Sequence, residues 1–373
     1  MADVPLESLT GAPIFEQLDE DDLEMLAATL KQRHLQEGDV LFEEGDVGDY
    51  LALLTEGKLV VEVAGDNSRT VVTTLYAPQV VGEMSCIDPA KRSATVRARG
   101  DVRLLVLEHV VLESLRQNAP GVYSRVVRGI ASVVADRLDE TTRRISTFLQ
   151  VKREPTQPRQ PSWEALQRNT TSGTPVQGNV PLTDEGVVEG LDDETRRVLR
   201  TAMEPRRFES GDVICLEKDS AREAYFIAAG NVEVVKTIGT KSYLLATVKR
   251  GGCLGQRALL KEGRHLVTLR AGKPDSLLLC LARDDFQALL EAHSSLAIDF
   301  QRAITVAGIR QLRQANDMVS YLGGREDRDD APHGFTRVDE PIDQIIDDDI
   351  DSVDDIDELA SMYLDLAVIR DGD

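Results

Sequence analysis

The sequence predicts a mainly β fold with flanking α-helices: two β-jelly-roll domains in tandem, each closed by a helical lid, joined by a linker and followed by a tail. Three observations carry this expectation. First, sliding the chain along itself by 173 residues (Leu18 onto Leu191) superposes the same landmarks. Leu18-Asp19 meets Leu191-Asp192, Gly38-Asp39-Val40 meets Gly211-Asp212-Val213, and Gly57 and Gly82 meet Gly230 and Gly255. Thr95-Val96-Arg97-Ala98 then meets Thr268-Leu269-Arg270-Ala271, so about eighty positions run without a gap, the mark of one domain present twice. Second, short alternating runs separated by glycines follow one another closely, as in a sandwich or barrel. Third, a long helical pattern ends each copy, where one inserted residue brings Leu138 onto Leu312.

Along the first copy, Asp21 to Leu30 reads as a short helical lead. Strands are expected at Val40–Phe42, Tyr50–Leu54, Lys58–Val63, Thr70–Leu75, Ala94–Arg97 and Leu104–Glu108. Gly45, Gly57 and Gly82 stand where tight turns need a positive φ. From Val111 to Ile145 the apolar residues Val126, Ile130, Val133, Val134 and Leu138 recur on one helical face, a stripe long enough to serve as core and also as the seam of a homodimer. The expected domains are 1–149 and 184–324. Between them, 150–183 is rich in Pro, Gln, Thr, Ser and Gly and reads as a flexible linker. Trp163, the sole tryptophan, reads there either as a residue docked on a domain or as a contact for a partner.

A chain of 373 residues has room for two domains and tails, and its 42% hydrophobic content permits real cores. No apolar run reaches about 18 residues, so no membrane span is expected. The start, Met-Ala-Asp-Val-Pro-Leu-Glu, lacks the basic-then-apolar order of a signal peptide. Cys86, Cys215, Cys253 and Cys280 are scattered, with no CxxC pair or histidine cluster, which points to free buried thiols in a reducing cytoplasm and away from a metal centre. The sequence shows no nucleophile–base pair and no triphosphate loop, and its histidines stand apart, so catalysis is not expected. From Glu326 onward, 18 acids face three arginines, which accounts for −15 of the net −22. Such charge repels nucleic acid.

The segment Gly82-Glu83-Met84-Ser85-Cys86-Ile87-Asp88-Pro89-Ala90-Lys91-Arg92-Ser93-Ala94-Thr95 carries the chemistry. A glycine turn leading into a helix start points backbone N–H groups at an anion. Arg92 offers a forked, charge-assisted partner for a phosphate. Glu83 can accept hydrogen bonds from a sugar hydroxyl, and Ser93 and Ala94 are small enough to let the phosphate approach the backbone. A small phosphorylated ligand suits this arrangement.

With these residues in this repeat, the sequence resembles the cyclic nucleotide-binding domain of the bacterial catabolite activator protein, the regulatory subunits of cAMP-dependent protein kinase and the cyclic nucleotide-gated channels. The resemblance covers roughly residues 12–147 and, more weakly, 184–322. It makes 82–95 the phosphate-binding cassette, with Glu83 on the ribose 2′-hydroxyl and Arg92 on the cyclic phosphate. Gly82, Ser85 and the Met84 backbone would line the turn, and Ser93 would add a hydroxyl. The Arg-Ser-Ala order implies cAMP, modestly favoured over cGMP. Thr141 and Thr142 align with a helix that offers two hydroxyls to the adenine, although the same pair also reads as an ordinary solvated helix end.

At the same offset the second copy loses this chemistry: Glu83 becomes Gln256, Arg92 becomes His265, Ser93 becomes Leu266 and Ala94 becomes Val267. Histidine is mostly uncharged near neutral pH, and the two apolar residues put bulk where the phosphate would sit. Arg264 and Arg257 remain as candidate cations. The expectation is one working cassette and one degenerate domain that binds no cyclic nucleotide.

The tail, 325–373, holds an acidic amphipathic stretch at 354–367 with Ile356, Leu359, Met362, Tyr363 and Leu366 on one face. It reads either as a docking helix for a basic groove on a protein partner or as a solubilising tail. The expected function is therefore a non-catalytic cAMP sensor that signals to a protein partner through the helix after the first barrel. The alternative is a ligand-free interaction scaffold. A helix-turn-helix regulator is disfavoured, since linker or acidic tail follows each barrel.

Overall fold

A computed structural model of the chain describes residues 6–64, 69–151, 161–178, 180–182, 184–239, 241–291 and 295–324. The tail with its amphipathic stretch, and residues 152–160 of the linker, lie outside the described residues.

The first copy runs α1 (Glu20–Ala27), β1 (Lys31–Leu35), β2 (Val40–Phe42), β3 (Tyr50–Glu56), β4 (Lys58–Ala64), β5 (Arg69–Tyr76), β6 (Gln79–Val81), α2 (Glu83–Ile87), β7 (Thr95–Ala98), β8 (Val102–Glu108), α3 (His109–Asn118) and α4 (Pro120–Val151). After α5 (Trp163–Arg168) and β9 (Thr174–Pro175), the second copy repeats the order. It has α6 (Asp193–Thr201), β10 (Met203–Phe208), β11 (Val213–Cys215), β12 (Glu223–Ala229), β13 (Asn231–Ile238), β14 (Lys241–Lys249), β15 (Cys253–Leu254), α7 (Arg257–Leu260), β16 (Thr268–Ala271), β17 (Ser276–Ala282), α8 (Arg283–Glu291) and α9 (Ser295–Gly324).

The strands of each copy form two antiparallel sheets. In the first they are ordered β1-β8-β3-β6 and β2-β7-β4-β5; in the second, β15-β12-β17-β10-β9 and β11-β16-β13-β14. Every expected strand of the first copy is present, and two more appear. β1 is Lys-Gln-Arg-His-Leu, with its first four residues exposed, so its pairing with β8 leaves no apolar alternation to read. The core of the first barrel gathers Leu41, Phe42, Ala52, Leu54, Leu59, Val96 and Leu104 from both sheets. Phe208, Tyr225, Ile227, Val232, Leu269 and Leu278 do the same in the second. On β3 the inward set Ala52 and Leu54 alternates with Leu51 and Leu53, and all four are buried, so this strand is covered on both faces. The lead helices begin on equivalent caps: the Asp19 carboxylate accepts from Asp22 N at 2.9 Å and the Asp192 carboxylate accepts from Thr195 N at 2.7 Å.

The chain divides into two compact units, 1–135 with 290–309 and 136–289 with 310–373. The division falls inside the long helices, so each unit holds one barrel and half of both α4 and α9. Within the first unit α4 and α9 run in the same direction. The Ser124 hydroxyl donates to Gln301 Oε1 at 2.7 Å and the Gln301 amide donates to the Ser124 carbonyl at 2.8 Å. A Cβ on Gly308 would lie 3.6 Å from Val134. Val126, Ile130 and Val134 are fully buried within the single chain. Part of the stripe expected as core and dimer seam thus lies in the core of the first unit beside α9, while Val133 and Leu138 are half-buried.

The linker reading also changes. Residues 161–178 carry the α5 helix, capped by the Ser162 hydroxyl accepting from Ala165 N at 3.3 Å, and a short strand, β9, paired with β10. Leu166 is buried with Val213, Leu216 and Val235, and Trp163 packs beside them. Trp163 and Leu166 are one helical turn apart, and this small apolar face suffices to dock the segment on the second barrel.

Gly129 of α4 lies against the backbone of Ile14, and a Cβ there would sit 2.6 Å from the Ile14 carbonyl carbon. Alanine is worth about 1 kcal/mol over glycine in a helix, yet here it must displace backbone. Gly129→Ala is expected to destabilise the first unit by about 1–3 kcal/mol in denaturant unfolding. Gly121→Ala, with its nearest neighbour at 3.7 Å, should be neutral or stabilising.

Candidate functional site

The candidate site is built on a loop pair. Backbone hydrogen bonds run from Arg92 N to Asp46 O at 2.8 Å, Gly45 N to Arg92 O at 2.9 Å and Gly48 N to Ala90 O at 3.1 Å, so 45–48 and 90–92 hold each other in an antiparallel clasp. The Thr95 hydroxyl accepts from Glu44 N at 3.1 Å and closes its base. Gly82, at φ +77°, turns the chain from β6 into α2, which packs against β3 and presents Glu83 and Ser85 inward.

Arg92 is the centre of this arrangement, with 4% of its surface exposed. Its Nη2 donates to Tyr50 O at 2.8 Å and its Nη1 to Gly82 O at 3.2 Å. The guanidinium lies 4.1 Å from the Phe42 ring centroid and 4.7 Å from that of Tyr50, a double cation–π seat. The Tyr50 hydroxyl is fixed by donating to Leu41 O at 2.7 Å. Arg92 Nε has no hydrogen-bond partner. Burial pulls the guanidinium pKa down, with Tyr50 and Asp49 opposing, but an arginine remains charged at any physiological pH.

Two glycines make the room. A Cβ on Gly48 would collide with Ser85, lying 2.7 Å from its Oγ, and would sit 2.8 Å from Arg92 Cζ. One on Gly82 would lie 2.5 Å from Arg92 Nη1. The structure therefore brings Gly82, Glu83, Ser85 and Arg92 together, with Met84 and Ala94 half-buried at the edge and Ser93 exposed. Thr141 and Thr142 belong to the other unit. There the Thr141 hydroxyl lies 3.2 Å from Asn316 Oδ1, and that of Thr142 donates back to Leu138 O at 2.8 Å. Gly48, Phe42 and Tyr50 escaped the sequence reading, although the repeat held the signal: at the same offset they become Ala221, Cys215 and Glu223.

The second copy keeps the clasp. His265 N donates to Asp219 O at 2.9 Å, Lys218 N to His265 O at 2.7 Å, Ala221 N to Gly263 O at 2.9 Å and Glu217 N to the Thr268 hydroxyl at 3.1 Å. What fills it differs. His265 is partly buried, and burial lowers its imidazole pKa, so it carries no charge at neutral pH. The buried Gln256 leaves its Nε2 without a hydrogen-bond partner. The two candidate cations are engaged elsewhere: exposed Arg264 donates to Lys218 O at 2.7 Å, and Arg257 Nε lies 2.7 Å from Asp139 Oδ2. Lys236 pairs with Glu217 at 2.8 Å and also donates to Leu266 O at 2.7 Å, and all three groups stand behind the clasp.

The family model for the cyclic nucleotide-binding domain matches twice, over residues 32–119 and 205–293. The chain is 24% identical over 260 residues to a cAMP-dependent protein kinase regulatory subunit of Blastocladiella emersonii, covering 69% of this chain and 52% of that protein. It is 30% identical over 134 residues to the cyclic AMP receptor protein of Thermus thermophilus, covering 35% of this chain and 60% of that one. The N-terminal domain of a transcriptional regulator from Streptomyces coelicolor, a solved structure, is 32% identical, with 35% of this chain and 91% of that one covered and a TM-score of 0.33. The chain spans roughly half to three fifths of the length of the two full relatives. No described helix is long and apolar enough to cross a membrane. Among the described residues no group of His, Cys, Asp or Glu is placed to hold a metal.

Cys86, within α2, is a buried thiol whose pKa is pushed up to about 12 by burial. Cys215 and Cys280 are likewise raised to about 12. In the unfolded chain these thiols ionise from about pH 9. Stability is therefore expected to be fully present below pH 9 and to fall as pH rises toward 12. Urea midpoints across that range measure the slope, and Cys86→Ala should flatten it.

Proposed function

Because the chain belongs to the cyclic nucleotide-binding domain family, with two such domains in tandem, we propose that it is a regulatory cyclic nucleotide sensor. In this reading cAMP is the ligand, the first cassette is the binding site and the protein catalyses no reaction. The observation that carries it is Arg92: a buried permanent cation beside buried Glu83, in space held open by Gly48 and Gly82. A cyclic phosphate reaching this pocket would draw the guanidinium from the neutral carbonyls of Gly82 and Tyr50 onto a charged acceptor. Such charge-assisted hydrogen bonds are about twice as strong as neutral ones. Glu83 would accept from the ribose hydroxyl, and Gly82, Met84, Ser85, Ser93 and Ala94 would line the turn. Thr141 and Thr142 would offer hydroxyls to the adenine in exchange for their present contacts with Asn316 and Leu138.

The second copy keeps the turn glycine, Gly255, but replaces the charged groups and Gly48. Its Ala221 places a methyl where Gly48 leaves room, and its His265 is neutral where Arg92 is charged. We read it as a domain that keeps the fold without the ligand. Release of the Gly82 and Tyr50 carbonyls loosens the junction between β3, β6 and α2, and a ligand that favours one arrangement shifts the population toward it. The readout is a protein partner within a cytoplasmic signalling system, with the acidic tail as its contact.

Calorimetric titration with cAMP, and cGMP as comparison, tests this. One site per chain with cAMP preferred is expected. Arg92→Ala should weaken binding by about 2–5 kcal/mol, the range for truncating one side of a buried charge pair, while His265→Ala leaves it unchanged. Equal loss from both substitutions would contradict a single site. Gly48→Ala should weaken binding although every ligand-contacting side chain is retained. Neither heat nor a thermal shift at a hundredfold excess over Kd, where about 2.7 kcal/mol of stabilisation is due, would leave the interaction scaffold instead.

A further inference from the structure

The second cassette helix, α7, and the residue that caps its C-terminus carry two cations that the first lacks. Position by position, Arg257 stands where the first copy has Met84, and Lys261 where it has Asp88. Within the second unit both point at the C-terminal half of α4. Arg257 Nε lies 2.7 Å from Asp139 Oδ2, and Lys261 Nζ donates to Asp136 Oδ1. Asp136 and Asp139 are three residues apart and so share one face of α4, and Arg257 at the start of α7 and Lys261 just past its end both reach that face.

The copies have also exchanged their glycines. In the first, Gly48 opens space for Arg92, and position 90 is alanine. In the second, the counterpart of Gly48 is Ala221, and the counterpart of Ala90 is Gly263. A Cβ on Gly263 would run into the Arg257 guanidinium, 3.1 Å from its Cζ. A glycine thus stands opposite the arginine in each copy, and glycine and arginine have moved together. Asp139 is buried, and its burial raises the carboxyl pKa while Arg257 is the strongest charge opposing that rise. A buried carboxylate left without its partner is strongly destabilising.

We propose that α7 is a ligand-independent clamp: Arg257 and Lys261 hold Asp139 and Asp136 permanently, tying the second cassette to α4 by ion pairs where a working cassette would use a bound nucleotide. The comparison with a nucleotide rests on the reading of the first cassette above; the clamp itself does not. In the first unit α9 reaches the corresponding helix, α2, through Arg302 Nη2, which donates to Ile87 O at 3.4 Å, and Met84 and Asp88 stand where the second copy has its two cations. Arg257 is a positioning residue, acting on α4 and on no ligand.

Hydrogen exchange on the full chain without nucleotide tests the clamp, read on peptides spanning 136–147. Arg257→Met, which restores the first copy's residue, and Asp139→Asn should each speed exchange there by at least about tenfold, as expected for a broken buried pair. The double variant should add nothing further. Unchanged exchange in either single variant, or additive effects, would overturn the proposal. If Arg257→Met fails to fold, the reversed pair Arg257→Asp with Asp139→Arg must recover folding and protection, and no recovery is equally fatal. Failure of the nucleotide reading would appear separately, as absent protection of 82–94 on adding cAMP, with the exchange of 136–147 as expected.

Discussion

The first domain depends on the burial of one guanidinium. Arg92 is held between two aromatic rings and two carbonyls, in a space that exists because Gly48 and Gly82 have no side chains. A buried cation without acceptors would be prohibitive. Here the carbonyls of Gly82 and Tyr50 supply them, and the clasp between 45–48 and 90–92 fixes where the side chain begins. The acceptors are neutral and belong to the ends of β6 and β3, so the guanidinium ties together the two strands that frame α2. In the proposed function a charged phosphate would compete with these carbonyls for it.

The second domain separates scaffold from chemistry. Its clasp has the same donors and acceptors at matched positions, yet Phe42, Gly48, Tyr50 and Arg92 are Cys215, Ala221, Glu223 and His265. The backbone frame is kept by hydrogen bonds that no side chain at 265 or 221 supplies, so the cassette could lose its arginine without losing its fold. Even the turn tolerates the change: Lys218 adopts φ +75° where Gly45 has +88°, a strained conformation for a side-chain-bearing residue. Beside this clasp Lys236 is bonded to Glu217 and to the carbonyl of Leu266, contacts within the protein.

Much of this was legible in the sequence. The repeat, the glycine turns, the strands of the first copy and the segment that holds both Glu83 and Arg92 follow from residue type and spacing, because turns demand particular residues locally. What the sequence concealed was set by distant partners. β1 is polar and is a strand because β8 offers it an edge. The 161–178 segment looked like linker by composition, but Trp163 and Leu166 found a face on the second barrel. The apolar stripe of α4 was recognisable as a seam, while its partner, α9 of the same chain, is fixed by topology rather than by pattern. Gly48 and Gly263 gain meaning only when each is set against the arginine it faces.

Duplication puts a second long helix beside α4 within one chain. In the first unit α9 is joined to it by the paired hydrogen bonds of Ser124 and Gln301, next to the buried Val126, Ile130 and Val134. The second copy keeps the frame of the cassette with different side chains in it, because the clasp is made largely of backbone hydrogen bonds that do not depend on residue type. Arg257 and Lys261 of that cassette engage Asp139 and Asp136 of α4 within the second unit. Frame and side-chain chemistry are therefore separable in this fold: the first is carried by the main chain, the second by a few positions that can change without disturbing it.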